Sequence, residues 1–234
     1  MNNKPLAILA AGGTGGHMFP AQALAEELLM RGWRVKLSTD FRGGRYTKNF
    51  PEDVKVETVN SATFSRGNLV FIVKAFLLIL SGIFASLRSF SKDRPAIVIG
   101  FGGYPTIPAL TTSLLLRLPR IIHEQNGVLG KVNQLFAKNV QLVACGISPT
   151  VMPKNVKSEH VGNPVRKDVL SRAGAPYIPP GDHPMSIFVM GGSQGAKILS
   201  NIVPEAINCL PEEILNFIRV FQQARDEDCQ RVEL

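Results

Sequence analysis

The residues best suited to chemistry form a glycine-rich run near the N-terminus, residues 12–17 (GGTGGH). The run stands between a short apolar segment and a helical pattern, which predicts a turn from a strand into a helix. Such a turn lets backbone N–H groups approach an anion, and the start of the helix favours phosphate. One or two glycines would satisfy any tight turn, and four around a threonine exceed that need. The run therefore predicts a loop that contacts a phosphate or a sugar.

Two other nucleotide-binding patterns fit this run poorly. The dinucleotide pattern GxGxxG requires a glycine where Met18 stands, and the Walker pattern requires a Gly-Lys pair that the run lacks. The sequence therefore disfavours both NAD binding and ATP hydrolysis at this loop.

His17 ends the glycine run, at the point where the predicted loop becomes a helix. An imidazole ionises near neutral pH, so it can act as a general base toward a hydroxyl that attacks a substrate. It can equally be a residue of the first helical turn that is hydrogen-bonded to the backbone. Its position alone leaves both interpretations open.

Two polar clusters directly follow predicted strands: residues 102–105 (GGYP) and residues 123–126 (HEQN). The carboxyl ends of parallel strands meet at one edge of a sheet, so we expect both clusters beside the glycine loop. Polar residues at strand ends often cap helices, but four consecutive hydrogen-bonding side chains exceed that need.

Short apolar runs alternate with helical patterns through the first part of the chain. The predicted strands are 6–11, 34–38, 96–101, 120–123, 140–145 and 159–161, and the predicted helices are 20–31, 106–117 and 130–137. This alternation predicts an α/β fold with a doubly wound parallel sheet, whose functional residues lie at the carboxyl ends of the strands.

A proline-rich segment interrupts the alternation. Residues 164–184 contain five prolines and little periodicity, which predicts a linker. The pattern then restarts with a strand at 186–190, a glycine loop at 191–195, a helix at 197–210 and a further strand at Ile218–Gln222. We therefore predict an N-terminal domain over residues 1–163, a linker, and the incomplete start of a second Rossmann-like domain over residues 185–234. Two facing glycine loops would form an interdomain cleft for a diphosphate-bearing ligand.

The stretch 69–87 is apolar over nineteen residues, except for Lys74. Lys74 leaves thirteen uncharged residues, too few for a typical membrane span. A core helix would explain one face, which would contain Leu69, Ile72, Phe76, Ile79, Ile83 and Leu87. Phe71, Leu78 and Phe84 would point away from that face and need a second apolar partner. Basic residues flank the stretch: Arg66, Arg88, Lys92 and Arg94. We predict peripheral contact with an anionic membrane rather than a full span.

The composition is that of a folded protein, with 45% hydrophobic residues and a formal net charge of +8. Disorder is thereby excluded as the main state, and anionic partners such as phosphates, nucleic acid or acidic lipid are favoured. The three cysteines and four histidines lack the spacing of a disulfide framework or a metal site, which fits a reducing cytosol. The N-terminus reads as a first strand and not as a signal peptide.

Five ordered motifs resemble those of the MurG family. They are GGTGGHMFPAQALAEEL, GFGGYPTIPAL, HEQNGVLGKVN, EHVGNPVRKDV and VMGGSQGAKILSN, and the resemblance runs from residue 5 to about residue 222. It implies a GT-B fold and inverting transfer of N-acetylglucosamine from UDP-N-acetylglucosamine to lipid I, undecaprenyl-diphospho-N-acetylmuramoyl-pentapeptide. The acceptor is the 4-hydroxyl of the muramoyl sugar, and the product is lipid II of peptidoglycan. The resemblance implies no cofactor and no metal ion.

The resemblance also implies roles for individual residues. His17 matches a histidine proposed to assist deprotonation of the acceptor. The residues that match donor or diphosphate contacts are Thr14, Gly15, Gly16, Asn126, Arg166 and Ser193. We further expect Gly103, Tyr104, Glu124 and Gln125 to lie on the acceptor side or to shape the loops.

The family resemblance places the protein at the cytoplasmic face of the bacterial inner membrane. It implies lipid I and anionic lipids as partners, with cell-wall and division proteins as further candidates and no nucleic acid. The family's C-terminal domain continues past the point that matches Leu234, with segments that recognise uracil and ribose. We therefore expect the chain to be inactive by itself. The alternatives are a non-catalytic fragment that binds a nucleotide sugar or lipid diphosphate, and a membrane-associated scaffold.

Overall fold

Seven parallel strands form one sheet in the computed structural model, which describes residues 4–62, 69–179, 181–192 and 195–233. The strands are β1 (Leu6–Ala10), β2 (Arg34–Thr39), β3 (Lys55–Thr58), β4 (Ile97–Gly100), β5 (Arg120–Glu124), β6 (Leu142–Cys145) and β7 (Ser158–His160). Their order across the sheet is β3-β2-β1-β4-β5-β6-β7, and every neighbouring pair is parallel. The predicted α/β class with a parallel sheet is confirmed.

Strand β3 is absent from the sequence-based prediction. Its sequence is KVET, and its side chains are largely exposed because it lies at the edge of the sheet. A short polar edge strand carries little of the apolar alternation that identifies a strand in a sequence.

Helices cover both faces of this sheet. They are α1 (Gly15–Met30), α2 (Leu69–Lys92), α3 (Thr106–Leu115) and α4 (Lys131–Phe136). A short fifth helix, α5 (Lys167–Leu170), buries none of its residues. Successive side chains of a strand point to opposite faces. Accordingly, Ile8 of β1 joins one apolar cluster with Leu110 of α3, and Leu9 joins a second cluster with Met18 of α1. The chain thus winds helices onto both faces of the sheet.

Helix α1 begins at Gly15, five residues before the start predicted from Pro20. Proline is common in the first turn of a helix, which is why the sequence suggested the later start. In the structure the glycine loop passes directly into the helix, and Thr14 precedes it with extended dihedral angles of φ −138° and ψ 162°. The loop residues themselves therefore form the amino-terminal end of α1.

Helix α2 is the one helix of the described residues that is long and apolar enough to cross a membrane by length and composition. That span is Val70–Lys92, with a mean hydropathy of 2.4. Its buried positions recur at helical spacing: Ala75, Ile79, Gly82, Ser86 and Phe90. A side chain at Gly82 would meet the backbone oxygen of Asn60 and come within 3.0 Å of Pro108 Cγ, so glycine permits close packing against α3 there.

The opposite face of α2 is exposed, with exposed fractions of 67% for Phe71 and 71% for Phe84. The predicted packed face was wrong for Ile72 and Phe76, which are 44% and 55% exposed. The buried positions start only at Ala75, because no described part of the molecule covers residues 70–74. Leu78, expected on the outer face, is half-buried.

A second compact unit begins at Arg172. It contains β8 (Met185–Val189), α6 (Lys197–Asn208), α7 (Glu212–Leu215), β9 (Ile218–Gln222) and α8 (Cys229–Val232). Strands β8 and β9 form a two-stranded parallel sheet. Several of its large apolar side chains are exposed, namely Phe188, Ile198, Ile202 and Phe221.

Candidate active site at the carboxyl ends of the first sheet

The loops after β1 and β4 lie where the strand order reverses. From β1 the chain proceeds to β2 and β3 on one side, and from β4 it proceeds to β5, β6 and β7 on the other. In open α/β sheets, ligands bind in the crevice at this switch point, beyond the carboxyl ends of the strands. The glycine run 12–17 and the cluster 102–105 both belong to this crevice.

His17 is held by its own loop. Its Nδ1 lies 3.0 Å from the backbone oxygen of Gly12. A carbonyl oxygen can only accept, so Nδ1 donates, and the neutral imidazole carries its free electron pair on Nε2. The backbone hydrogen bond considered from the sequence therefore orients the ring in a tautomer whose Nε2 can accept a proton.

Gly102 and Gly103 bring the second loop against this imidazole. Their φ angles are +96° and +81°, a region that disfavours residues with side chains. A Cβ atom at Gly102 would lie 3.1 Å from Nε2 of His17, and one at Gly103 would lie 2.9 Å from the oxygen of Gly12. Both glycines thus give the backbone its turn and leave room for His17.

The start of α1 offers donors for an anion. The helix has sixteen residues and no acidic residue in its first turn. Within the described part of the chain, no group accepts a hydrogen bond from the backbone N–H of Gly15 or Gly16. Thr14 and Gly16 are exposed. Free N–H groups at the positive end of a helix suit a phosphate.

Arg166 lies beside the same end of α1 through an aromatic contact. Its guanidinium carbon is 4.0 Å from the centroid of the Phe19 ring. That ring packs against Gly15, where an added Cβ would be 2.7 Å from Phe19 Cε2. Phe19 was not among the predicted site residues. Its only sequence signal is an aromatic side chain one helical turn after the glycine loop.

Asp40 is a second residue that the sequence analysis missed. It follows β2, and its carboxylate is buried. Its Oδ1 accepts from the backbone N–H of Gly43 at 3.0 Å, and its Oδ2 accepts from Arg42 Nε at 2.7 Å. An added Cβ at Gly12 would be 3.2 Å from Asp40 Oδ1 and 2.6 Å from Pro105 Cγ. Asp40 thus fixes the turn after β2, which lies close to the glycine loop after β1.

Glu124 shapes the loop that follows β5. Its carboxylate is 1% exposed and accepts four hydrogen bonds. Oε1 accepts from the backbone N–H of Asn126 at 3.1 Å and from Asn126 Nδ2 at 3.0 Å. Oε2 accepts from the backbone N–H of Gly130 at 2.9 Å and from Asn133 Nδ2 at 2.8 Å. Donors from the loop and from α4 thus occupy both oxygens of the carboxylate, which fixes the shape of the loop.

His123 and Gln125 are buried behind that loop. His123 Nε2 donates to the oxygen of Gly162 at 3.1 Å, and its Nδ1 accepts from Gln125 Nε2 at 3.2 Å. Gln125 Nε2 also donates to the oxygen of Phe101 at 3.0 Å. Burial lowers the pKa of His123 below its ordinary value. The imidazole is therefore neutral, and neither side chain faces the loops as a reactive group.

The remaining predicted residues have different environments. Asn126 is exposed and anchored to Glu124 through its amide nitrogen, which leaves its amide oxygen as an acceptor at the surface. Tyr104 is partly buried against the apolar core. Ser193 lies outside the described residues, while Gly191 of the same loop donates its N–H to Gln223 Oε1 at 3.1 Å. Within the described ranges, no three His, Cys, Asp or Glu side chains cluster as metal ligands.

Two family profiles match the chain. The profile described as the glycosyltransferase family 28 N-terminal domain matches residues 7–145. The profile described as the glycosyltransferase family 28 C-terminal domain matches residues 186–233.

Curated relatives carry the name UDP-N-acetylglucosamine–N-acetylmuramyl-(pentapeptide) pyrophosphoryl-undecaprenol N-acetylglucosamine transferase. The relative from Caulobacter vibrioides is 46% identical over 97% of this chain and 63% of its own length. The relative from Allorhizobium ampelinum is 46% identical over 98% of this chain and 61% of its own length. The chain thus spans somewhat less than two thirds of the length of the relatives that it matches.

Solved structures show the same similarity. The crystal structure of Acinetobacter baumannii MurG matches with a TM-score of 0.71 and 29% identity, over 98% of this chain and 63% of that one. The kitacinnamycin glycosyltransferase, at 14% identity over 95% of this chain and 66% of that one, shares the fold with a TM-score of 0.63. These matches confirm the resemblance to MurG that the five motifs indicated. With the family profile covering more than half of the sequence, the chain belongs to glycosyltransferase family 28.

Proposed function

We propose that the protein transfers N-acetylglucosamine from UDP-N-acetylglucosamine to the muramoyl sugar of undecaprenyl-diphospho-N-acetylmuramoyl-pentapeptide, forming lipid II. The observation that carries the proposal is 46% identity over 97% of the chain with the Caulobacter vibrioides protein of that name. The orientation of His17 at the switch point of the sheet supports it, because the transfer requires a base for the acceptor hydroxyl.

In this reaction Nε2 of His17 takes the proton of the acceptor 4-hydroxyl while the hydroxyl oxygen attacks the anomeric carbon of the donor. The bond between that carbon and the β-phosphate oxygen breaks, and UDP leaves with the electron pair. Attack from the face opposite UDP inverts the configuration. The donor-contacting groups are those of Thr14, Gly15, Gly16, Asn126, Arg166 and Ser193.

Negative charge grows on the diphosphate as the bond breaks. The N–H groups of Gly15 and Gly16 and the guanidinium of Arg166 are suited to stabilise that charge, since Phe19 holds Arg166 beside Gly15. Glu124 and Gln125 contribute by shaping the loop that presents Asn126.

We further propose that the protein works as a peripheral protein at the cytoplasmic face of the inner membrane. An acceptor with an undecaprenyl chain remains in the bilayer, so the enzyme has to reach it there. The exposed face of α2, with Phe71 and Phe84, suits insertion among lipid chains, and Arg88 and Lys92 suit anionic headgroups. Cell-wall and division proteins are further candidate partners.

The test of the reaction is His17→Ala in the chain joined to the remaining C-terminal segment of the Caulobacter vibrioides relative. A positioned general base contributes about 10²–10⁴-fold, so we expect kcat to fall by that factor with little change in donor affinity. His160→Ala is the matched control, because His160 is an exposed histidine at the far edge of the sheet. An unchanged kcat in His17→Ala would remove His17 from the mechanism.

A further inference from the structure

A cleft of about 940 Å³ lies in the first unit, apart from the candidate active site. Its lining includes the starts of β1, β2 and β3 and the last turns of α2. None of the residues assigned to the reaction lines it. The proposed reaction therefore does not account for this cleft.

The floor of this cleft is an ion-paired network. Arg34 donates to both carboxylate oxygens of Asp93 at 2.9 Å, which holds the pKa of Asp93 below its ordinary value. Lys36 is buried, and its Nζ lies 3.3 Å from Asp93 Oδ2 and 3.3 Å from Glu57 Oε1. Ser89 donates to Glu57 Oε2 at 2.8 Å. Two cations and two carboxylates thus balance one another in the floor.

The rim of the cleft carries unbalanced positive charge. Four more cations line it, namely Lys4, Lys55, Arg88 and Lys92. Among the residues that the structure describes, none of the four has a carboxylate within ion-pair distance. The only other carboxylate in the lining is that of Asp53. Four unpaired cations facing one carboxylate make the rim attractive to an anion.

The exposed apolar face of α2 leads into this rim. Leu77, Leu80 and Phe84 are exposed and follow one another at helical spacing, and Arg88 is the next position on the same side. A helix that lies in a membrane interface buries its apolar face at the boundary between headgroups and acyl chains. With α2 placed in that way, its end brings the cationic rim to the level of the lipid phosphates.

We propose that this cleft binds the phosphate of an anionic phospholipid headgroup, a proposal that rests on the membrane contact proposed for α2. Lysine binds phosphate as a point charge, and the rim provides three lysines and one arginine. Trp33 also lines the cleft, and tryptophan is favoured at the headgroup level of membranes. The site selects anionic over zwitterionic lipid and fixes the rotation of the protein on the membrane.

The first test uses a soluble lipid, so that it needs no membrane. Trp33 is the only tryptophan of the chain, and its fluorescence therefore reports on the cleft. We expect a saturable change with monomeric dihexanoylphosphatidylglycerol, below its micelle concentration, and none with dihexanoylphosphatidylcholine. Equal responses to both lipids would overturn the proposal. Equal affinity for glycerol phosphate would also overturn it, because the ligand would then be a free phosphate.

Variants that remove positive charge test whether the rim of the cleft binds the anionic lipid. Lys55→Gln combined with Lys92→Gln should weaken binding of the anionic lipid about 25-fold, at about fivefold, or roughly 1 kcal/mol, for each charge. Both lysines are exposed, so the fold should persist. The matched control, Lys154→Gln with Lys157→Gln, removes the same charge near β7 at the opposite edge of the sheet and should leave affinity unchanged. Equal losses in the two pairs would overturn the site.

Vesicle binding distinguishes headgroup binding in the cleft from membrane contact through α2. Leu77→Ser with Phe84→Ser should abolish binding to phosphatidylglycerol vesicles and retain the response of Trp33 to the soluble lipid. A wild-type chain that binds no vesicle yet responds to the soluble lipid would disprove the membrane contact and support the cleft. Equal binding to anionic and zwitterionic vesicles, unchanged by Lys55→Gln with Lys92→Gln, would support the membrane contact and disprove the cleft.

Discussion

The guanidinium carbon of Arg166 lies 4.0 Å above the ring of Phe19, although the two residues are far apart in the sequence. The same ring packs against Gly15 and forms an edge-to-face contact with Tyr46, at a centroid distance of 5.6 Å. One aromatic side chain therefore holds a positive charge beside the start of α1. We infer that Phe19 positions Arg166 beside the amino-terminal end of α1, where we propose that the donor diphosphate binds.

Phe19→Leu should weaken binding of inorganic pyrophosphate to the chain. The substitution keeps an apolar side chain and removes the cation–π contact, which is worth about 0.5–2 kcal/mol. We expect a loss of affinity of about 2-fold to 30-fold, measured by isothermal titration calorimetry. Phe19→Trp keeps an aromatic face and should retain most of the affinity. The positioning role would be wrong if Phe19→Leu weakened binding equally in an Arg166→Ala background.

The buried neutral His123 should make the first unit less stable in acid. Burial lowers the pKa of His123 in the folded protein, whereas the unfolded value is about 6.5. As the pH falls below about 6.5, the unfolded chain therefore takes up a proton first. This contribution to stability is complete above about pH 6.5 and is lost as the pH falls toward the lower folded pKa, with a slope of at most about 1.4 kcal/mol per pH unit.

Urea unfolding between pH 7.5 and pH 5 measures this slope. We expect His123→Gln to be less stable than the wild type at neutral pH. Its stability should also depend less on pH, because the side chain at position 123 then does not titrate between pH 7.5 and pH 5. His160→Ala removes an exposed histidine and should leave the wild-type slope unchanged. A His123→Gln slope equal to that of the wild type would show that another group is responsible.

Phe71→Ser with Phe84→Ser should weaken binding to anionic vesicles and leave the fold intact. Both rings are exposed, and burying a phenylalanine side chain is worth about 1.5–3 kcal/mol, so the combined loss should exceed about a hundredfold. Cosedimentation measures the loss, and circular dichroism checks the fold. Phe41→Ser, which removes an exposed ring from another part of the chain, serves as the control.

Salt should also weaken this membrane binding, because the basic residues around α2 act through charge that ions screen. A spanning helix would behave differently, because neither high salt nor alkaline carbonate would release the protein. Persistent retention after both washes would contradict peripheral contact.

The 234-residue chain assayed by itself should bind pyrophosphate but give no detectable sugar transfer. We expect donor binding to require the segment of the Caulobacter vibrioides relative that lies beyond the 63% of its length covered by these 234 residues. Each buried hydrogen bond lost with that segment costs about 0.5–1.5 kcal/mol, which lowers donor affinity. The first unit should nevertheless fold, because both apolar clusters lie entirely within it.

A transfer assay with lipid I and UDP-N-acetylglucosamine, beside calorimetry with pyrophosphate, tests the activity of the chain. Thermal unfolding of residues 1–171 tests the autonomy of the first unit. Turnover by the purified 234-residue chain would contradict the first expectation. Loss of cooperative unfolding in residues 1–171 would contradict the second.

The sequence by itself determined the class of the fold and the position of the glycine-rich loops at the ends of its strands. Alternation of apolar runs and helical patterns is local information, and glycines between a strand and a helix signal a turn wherever they occur. Six of the seven strands of the first sheet were predicted within about two residues at each end, while the polar edge strand β3 was not. The carboxyl ends of parallel strands lie at one edge of a sheet. The sequence therefore also predicts that the glycine run and the cluster 102–105 lie close together.

Only the tertiary structure decided what individual side chains do. The tautomer of His17 depends on the oxygen of Gly12, and the place of Arg166 depends on a ring that follows β1. The carboxylate of Glu124 could act as an acid or base from its type alone, but in the structure it accepts four hydrogen bonds from the loop after β5 and from α4. Likewise, Phe76 is exposed because no described segment packs over the first turns of α2. Such contacts join residues that the chain brings together only on folding, so no local pattern in the sequence encodes them.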